Sequence, residues 1–284
     1  MMKWIYELFK GDIKSITSLS GGNVSQVFKV VTTSDVFVVK CNYEKNAEVY
    51  FKAEVNGLHQ IKATNTIETP AIHSYGKIEN NAYLILEWIP TKNADQEAMH
   101  TLGIQLSQLH STTETTYFGA KEHNFIGNLP QNNTINPSWS TFYALQRLYP
   151  QLGIARKLGY LLKEEIPNLD NIQKVMTTIA DNTKPSLLHG DLWCGNYLIH
   201  ENGTPYLIDP SVYYGHNEME LAMTKLFGGF SNNFYQGYHE NIPPHKNQNA
   251  LTEVYQLYYL LVHLNMFGNS YRSRVVELLK RYFL

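Results

Sequence analysis

The first ninety residues carry short apolar runs that are separated by turn signals. Residues 18–31 predict a strand, a glycine turn and a second strand, and residues 36–40 predict a compact apolar strand that ends in a lysine. Residues 82–89 predict a further strand, which Pro90 closes. One helix is predicted among these strands, over residues 44–62, because four apolar side chains recur there at helical spacing: Phe51, Val55, Leu58 and Ile61.

Helical periodicity dominates the rest of the chain. Leucines at positions 102, 106 and 109 have helical spacing, and helices are also predicted over residues 143–162, 172–179 and 253–283. A hairpin interrupts them, since apolar runs flank the Asn-Gly pair at residues 202–203, which is the strongest short hairpin signal.

The polar residues 90–95 are typical of a linker. We therefore predict an α+β chain of two lobes. The N-lobe, residues 1–89, has an antiparallel sheet and one helix, and the C-lobe, residues 90–284, is larger and mostly helical.

Composition narrows the classes of function. The 284 residues are 43% hydrophobic and 17% charged, so the chain can build a core, and its net charge of −2 without a basic run argues against a nucleic-acid or membrane partner. The two cysteines, Cys41 and Cys194, have neither disulfide-framework nor zinc spacing, and their role stays open. Residues 1–10 lack the apolar core of a signal peptide, and the longest apolar stretch, residues 257–267, is too short to span a bilayer. We expect a cytoplasmic protein, compatible with a monomer, whose oligomeric state the sequence leaves open.

The most specific motif is His-Gly-Asp-Leu-Trp-Cys-Gly-Asn at residues 189–196. The catalytic loop of protein kinases has the pattern H-R-D-L-x-x-x-N, and only its arginine is changed, to Gly190. In such a loop the aspartate reaches the acceptor hydroxyl and the asparagine reaches a magnesium ion. This predicts Asp191 as the catalytic base and Asn196 as a metal ligand.

Asp209 ends the second strand of the predicted hairpin, whose first strand begins directly after Asn196. Because a hairpin returns the chain to its starting end, we expect Asp209 beside Asn196, where their oxygens suit Mg²⁺. This is the position of the aspartate in the kinase D-F-G motif. Together the two motifs predict a two-lobed, protein-kinase-like fold with ATP bound between the lobes.

Lys40 and Glu54 form the third signal. Glu54 lies within the apolar stripe of its helix and needs a cationic partner, which Lys40 can supply, although Glu48 is a competing partner for that lysine. In kinases this lysine binds the phosphates of ATP and a helix glutamate holds it. A weaker signal is the glycine turn before it, which we expect to cover the phosphates through Gly21, Gly22, Asn23 and Ser25.

With these residues in hand, the chain resembles the fructosamine kinase (ketosamine-3-kinase) family, a relative of aminoglycoside phosphotransferases and choline kinases. The family-specific parts are Trp193 and the run from Tyr213 to Phe230, and residues 263–268 also fit. The resemblance implies ATP-dependent phosphorylation of the 3-hydroxyl of ketosamines such as fructosamines and ribulosamines, free or protein-linked. Because the 3-phosphate is unstable, such a reaction can serve deglycation. Two departures are Cys194, where the family usually has serine, and Asn23, where some relatives have a redox-active cysteine.

The acceptor and adenine contacts are the least specific predictions. We expect the ring of Trp193 to pack on a sugar, although a core tryptophan is an equal alternative. His263 and Glu218 are further substrate candidates, against a core histidine and an ordinary helix-terminal glutamate, and Glu220 shares the role of Glu218 as a possible partner for a cationic amine. We expect the adenine edge to bind the backbone of the linker strand at Glu87, Trp88 and Ile89. Rival functions are another small-molecule kinase and a catalytically inactive kinase fold.

Overall fold

The computed structural model describes residues 3–19, 25–44, 47–112 and 115–284. Its N-terminal part is a five-stranded antiparallel sheet of order β1-β2-β3-β5-β4 with two helices. The strands are β1 (Ser15–Leu19), β2 (Gln26–Val31), β3 (Val36–Asn42), β4 (Ile72–Ile78) and β5 (Asn81–Glu87), and the helices are α1 (Lys3–Leu8) and α2 (Ala47–Ala63). The sequence did not predict α1 or β4.

The two faces of this sheet are covered by different helices. The predicted apolar stripe of α2 is buried and packs on one face, where Phe51, Val55 and Leu58 cluster with Leu84 and Leu86 of β5. On the other face, two buried residues of α1, Trp4 and Ile5, pack with Val30, Val39 and Ile85. Helix α2 therefore packs on β5 and β4, and the Glu54 side chain that it carries meets Lys40 of β3.

The C-terminal part is built from eight helices within the described residues. They are α3 (Gln96–Ser111), α4 (Trp139–Phe142), α5 (Tyr149–Lys157), α6 (Leu169–Ile179), α7 (Asn217–Leu226), α8 (Asn232–His239), α9 (Gln248–Phe267) and α10 (Arg272–Tyr282). A π-helical segment, Tyr143–Leu148, joins α4 to α5, and short 3₁₀ turns lie at Lys163–Glu165 and Asn269–Tyr271. Asp95 caps α3, since its Oδ1 accepts a 2.8 Å hydrogen bond from the Ala98 amide.

Two of the predicted helices are shorter than expected. The helix predicted over residues 143–162 ends at Lys157, and Gly159 then adopts a positive φ of 77°. The helix predicted over residues 253–283 is two helices, α9 and α10, because Gly268 takes a φ of 89° directly after Phe267. In both places a glycine in a backbone conformation that other residues avoid breaks the helix, as is usual beyond a helix C-terminus.

Short antiparallel pairs frame the loop at residues 189–196. Strand β8 (Ser186–Leu188) enters the loop and pairs with β11 (Tyr213–Gly215), and β9 (Tyr197–Ile199) leaves it and pairs with β10 (Pro205–Leu207). The predicted hairpin is thus present. A further pair, β6 (Asn124–Ile126) with β7 (Leu129–Gln131), contacts the segment after Asp209, since the Asn124 Nδ2 donates to the carbonyl of Val212 at 2.9 Å.

The two parts of the chain meet along one side of the cleft. The Leu207 amide donates to the carbonyl of Glu68 at 2.9 Å, and the Lys92 amide of the linker donates to the carbonyl of Ile199 at 2.9 Å. Helix α2 approaches so closely that a Cβ on Gly57 would lie 2.9 Å from the ring of Pro210. Among the described helices, none has both the length and the apolar character needed to cross a membrane.

Candidate active site

Lys40 lies at the bottom of the cleft, where β3 faces α2. Its Nζ is 2.7 Å from Glu54 Oε1 and also contacts the carboxylate of Asp209, while the residue as a whole is only 7% exposed. The predicted ion pair between Lys40 and Glu54 is therefore present. The contact with Asp209 joins the sheet to the segment that follows the β9–β10 hairpin.

Charge balance in this cluster keeps the lysine cationic. Burial alone would lower the pKa of Lys40, but the negative charges of Asp209 and Glu54 outweigh it and raise the pKa. Burial raises the pKa of Glu54 to about 7; the positive charge of Lys40 opposes this rise and the negative charge of Asp209 adds to it. A buried, protonated lysine of this kind is suited to bind phosphate oxygens.

The hairpin brings Asp209 to the start of β9, as its spacing predicts. The amide of Ile208, the residue before Asp209, donates to the carbonyl of Asn196 at 3.1 Å. Asn196 is buried, and its Nδ2 donates to the Asp191 carbonyl at 2.8 Å and lies 3.4 Å from Asp191 Oδ2. The amide oxygen of Asn196 is consequently the atom left to bind a ligand, and the Asp209 side chain beside it is 37% exposed.

His189 ties the loop of Asp191 to the segment of Asp209. Its ring Nε2 donates to the carbonyl of Ile208 at 2.8 Å, and its own carbonyl accepts from the Ser211 amide at 2.8 Å. Asp191 is partly buried, and burial raises its pKa to about 7, helped by the negative charges of Asp209 and Glu220, against the hydrogen bond from Asn196. A carboxylate with a pKa near neutrality is suited to accept a proton.

Position 190, where protein kinases have arginine, is a glycine for a steric reason. Its φ is +89°, and a Cβ at this position would lie 2.1 Å from the carbonyl oxygen of Ser211. The contact between the two segments is so close that only glycine fits without a backbone shift. The absence of arginine here therefore follows from how the loop packs.

Two residues predicted to bind the acceptor, Trp193 and His263, lie in the catalytic loop and on α9, respectively. Trp193 is 38% exposed, so the alternative of a core tryptophan is wrong, and its ring lies over Gly195. His263 of α9 donates from Nδ1 to the carbonyl of Tyr259 at 2.8 Å, and burial lowers its pKa. The ring is therefore neutral with Nε2 as an acceptor, and it contacts three aromatic rings at centroid distances of 4.7–5.4 Å: Phe227, Phe267 and Tyr271.

The remaining residues predicted to bind the nucleotide belong to the glycine turn and to the linker strand. Gly21, Gly22 and Asn23 lie outside the described residues, and Ser25 is half-buried directly before β2. In the linker strand, the amide of Glu87 already donates to the carbonyl of Ala71 at 2.9 Å. The ring of Trp88 carries the Lys29 ammonium 4.0 Å from its centroid, and Ile89 is buried.

The two glutamates of α7 are both buried, which changes their interpretation. Glu218 is 2% exposed, and its Oε1 accepts from the amide of His245 at 3.2 Å, a placement that lends no support to contact with a substrate at Asp191. The suggestion that Glu220 attracts a cationic amine is wrong, because this residue is 0% exposed and binds the backbone of the catalytic loop. Sequence reasoning missed that role, although a carboxylate among apolar helix neighbours was a signal that it needs internal donors.

Comparison with known proteins decides the family. The model of the fructosamine kinase family matches residues 3–284. The chain belongs to this family. Among curated fructosamine kinase relatives, a protein of Lactiplantibacillus plantarum named as a probable ketoamine kinase is 36% identical over 98% of both chains. The chloroplastic protein-ribulosamine 3-kinase of Arabidopsis thaliana is 32% identical over 99% of this chain and 86% of that protein.

Solved structures agree with this assignment. A candidate fructosamine-3-kinase from Haemophilus somnus 129PT superposes with a TM-score of 0.87 at 27% identity, covering 99% of this chain and 95% of that one. An aminoglycoside phosphotransferase superposes with a TM-score of 0.64 at 16% identity, covering 99% of both chains, and shares the fold. The mixed α+β, kinase-like fold predicted from the sequence is thereby confirmed.

Proposed function

We propose that this protein transfers the γ-phosphoryl group of ATP to the 3-hydroxyl of ketosamines. The observation that carries the proposal is the convergence, in one cleft, of the Lys40–Glu54 ion pair, Asp209 and the loop of Asp191 and Asn196. Membership of the fructosamine kinase family supports the acceptor class, as do the names of the ketoamine kinase and ribulosamine kinase relatives.

In this proposal, residues 1–89 form the nucleotide-binding lobe and residues 90–284 the catalytic and substrate-binding lobe. Lys40 binds phosphate oxygens, and Glu54 keeps its ammonium in place at 2.7 Å. The backbone of Trp88 and Ile89 offers hydrogen bonds to the adenine edge, since the amide of Glu87 is already used. Ser25 and the glycine turn before it cover the phosphates.

The donor set for a cation is the amide oxygen of Asn196 and the carboxylate of Asp209. These are hard oxygen ligands of the kind that Mg²⁺ prefers, and Mg²⁺ usually takes only one or two protein ligands beside phosphates and water. Among the described residues, no group of three or more His, Cys, Asp or Glu side chains is placed to hold a metal ion. When bound there, Mg²⁺ would neutralise charge on the phosphates.

Asp191 is the group that accepts the proton of the acceptor hydroxyl as its oxygen bonds to phosphorus and ADP leaves. The hydrogen bond from Asn196 to the Asp191 carbonyl fixes the loop, and the raised pKa of about 7 makes the carboxylate an effective base near neutral pH. The exposed ring of Trp193 offers a face for the sugar, and Nε2 of His263 offers an acceptor to a sugar hydroxyl.

The test is transfer to a panel of acceptors, with ATP and Mg²⁺, followed by mass spectrometry. The panel contains free and protein-linked fructosyl- and ribulosyl-amines, an aminoglycoside and choline, and Asp191→Asn is the matched inactive control. We expect a mass gain of one phosphate on ketosamines, followed by release of the free amine. Transfer to the aminoglycoside or choline with none to any ketosamine would overturn the acceptor class, and no transfer at all would overturn the enzyme assignment.

A further inference from the structure

A fully buried arginine packs on the strand that follows Asp209. Arg147, in the π-helical segment, is 0% exposed, and its guanidinium carbon lies 3.9 Å from the centroid of the Tyr213 ring on β11. Its Nη1 donates to the carbonyl of Asn132 at 2.7 Å, and its Nη2 donates to the side-chain oxygen of Asn133 at 2.8 Å. Both acceptors are neutral oxygens. Because burying a charge is costly unless hydrogen bonds compensate for it, these oxygens fix the position of the cation.

The arginine sets the direction of a chain of hydrogen bonds between buried side-chain amides. A guanidinium can only donate, so Oδ1 of Asn133 must face Arg147. The Nδ2 of Asn133 then donates to Oδ1 of Asn124 at 2.9 Å, and that oxygen also accepts from Gln131 Nε2 at 2.8 Å. The Nδ2 of Asn124 consequently faces the carbonyl of Val212 and donates to it at 2.9 Å. The chain therefore ends on the backbone of the segment after the β9–β10 hairpin.

A second branch of this network reaches the preceding residue of the same segment. Oε1 of Gln131 accepts from the hydroxyl of Tyr258 at 2.7 Å, and its Nε2 lies 3.4 Å from the carbonyl oxygen of Ser211. The hydroxyl of Ser211 donates to the carbonyl of Phe125 at 2.6 Å. The β6–β7 pair thus holds two successive residues, Ser211 and Val212.

These two residues follow an aspartate with an uncommon backbone conformation. Asp209 has a φ of +56°, in the left-handed region that residues other than glycine seldom adopt. Such a conformation persists only where the surrounding structure determines it. On one side, the hydrogen bond from the Ile208 amide to the carbonyl of Asn196 holds the chain at 3.1 Å. On the other side, the contacts of Ser211 and Val212 with the β6–β7 pair hold it.

We propose that Arg147, Asn124 and Gln131 are positioning residues that hold Asp209 in the geometry that binds its cation. They act through the backbone of residues 211–212 rather than by touching the phosphates. The inference rests on the proposed ATP- and Mg²⁺-dependent transfer but not on which acceptor the enzyme uses. It predicts that weakening the network weakens nucleotide binding in the presence of Mg²⁺ more than in its absence.

The experiment compares Asn124→Ala and Arg147→Met with a matched control, Asn265→Ala. Asn265 of α9 also donates from its side-chain amide, to the carbonyl and the side-chain oxygen of Gln151 at 3.0 and 2.8 Å, and these bonds join α9 to α5. The first measurement is the Kd for AMP-PNP with Mg²⁺ and with EDTA, which needs no ketosamine. The others are the Mg²⁺ concentration that gives half-maximal ATP turnover, and the Tm of each variant.

We expect both test variants to need about 10- to 100-fold more Mg²⁺, the loss usual when the groups that orient a metal ligand are removed. Their Kd for AMP-PNP should rise with Mg²⁺ present and stay close to that of the unmodified protein in EDTA. In an Asp209→Ala background, Asn124→Ala should add little to the loss of Mg²⁺ dependence, because it acts through that aspartate. The Asn265→Ala control should lose Tm but keep its Mg²⁺ dependence.

Three results would overturn the inference. Unchanged Mg²⁺ dependence with a lower Tm would assign the network to stability alone, and Asn124→Ala decides this if Arg147→Met does not fold. Equal losses of AMP-PNP affinity with Mg²⁺ and with EDTA would show a general loss of the cleft. A further loss of Mg²⁺ dependence in the Asp209→Ala background would show that the network acts elsewhere.

Failure of the proposed function gives a different pattern. Binding of AMP-PNP that depends on Mg²⁺, without transfer to any ketosamine, would overturn the acceptor class and leave the positioning role standing. Binding by the unmodified protein that is indifferent to Mg²⁺ would overturn the metal site and the positioning role with it.

Discussion

Replacing Gly190 with alanine tests whether close packing of the two catalytic segments is needed for turnover. A Cβ there would lie 2.1 Å from the carbonyl oxygen of Ser211, whereas ordinary contact begins at 3.4 Å, so the two backbones must separate by about 1.3 Å. The shift occurs where the Ser211 amide donates to the carbonyl of His189, between the segments of Asp191 and Asp209. A misplacement of about 1 Å can cost about 100-fold in rate, and we expect that loss in kcat.

A second cost arises from the backbone conformation and needs its own control. Alanine at the φ of +89° of Gly190 is strained by about 1–2 kcal/mol. Gly159 has a similar φ of +77°, and a Cβ there would meet nothing within 4 Å, so Gly159→Ala has the strain without the clash. Urea unfolding should reveal a loss of stability in both variants, and an ADP-release assay should reveal the loss of turnover only in Gly190→Ala. Equal turnover in the two variants would refute the argument from packing.

The remaining predictions concern the base, the metal ligand and acid stability. Asp191→Asn should keep ATP binding, measured by titration, and lose about 10²–10⁴-fold in kcat, and a variant that retains most activity would contradict its role as base. Asp209→Ala should weaken ATP binding more with Mg²⁺ than without it; equal losses in the two titrations would make Asp209 structural. Burial, with the charges of His245 and His110, lowers the pKa of His216 from 6.5 to about 3, so between these pH values the unfolded chain binds a proton that the folded chain does not. Stability should therefore fall as pH drops through that window, and His216→Asn should flatten the fall in the urea midpoint between pH 7 and pH 5; an unchanged slope would contradict this.

The sequence predicted those parts of the fold in which segments near each other in the chain pair or form ion pairs with one another. The Asn-Gly turn specifies the β9–β10 hairpin locally, and the stripe of α2 turns Glu54 inward, so its partner had to be a cation on an adjacent strand, which is Lys40. Strand β4 was missed because it lies at the edge of the sheet and none of its seven residues is fully buried. Without a buried face, a strand has no alternation that a sequence could reveal.

The positioning of the catalytic loop could not be predicted for a different reason. Residues 218–224 of α7 are all buried, so periodicity does not tell which side of the helix faces which neighbour. A carboxylate in such a stretch predicts that donors must surround it, but two of the donors to Glu220 are backbone amides, which nearly every residue possesses and which no composition identifies. The third donor, His110, is 110 positions away and is brought close only by the packing of α3 beside β8. A buried carboxylate without a partner nearby in the sequence therefore predicts that the fold supplies hydrogen-bond donors to it, but it does not predict which donors. In this chain, two of those donors are backbone amides of the loop of Asp191.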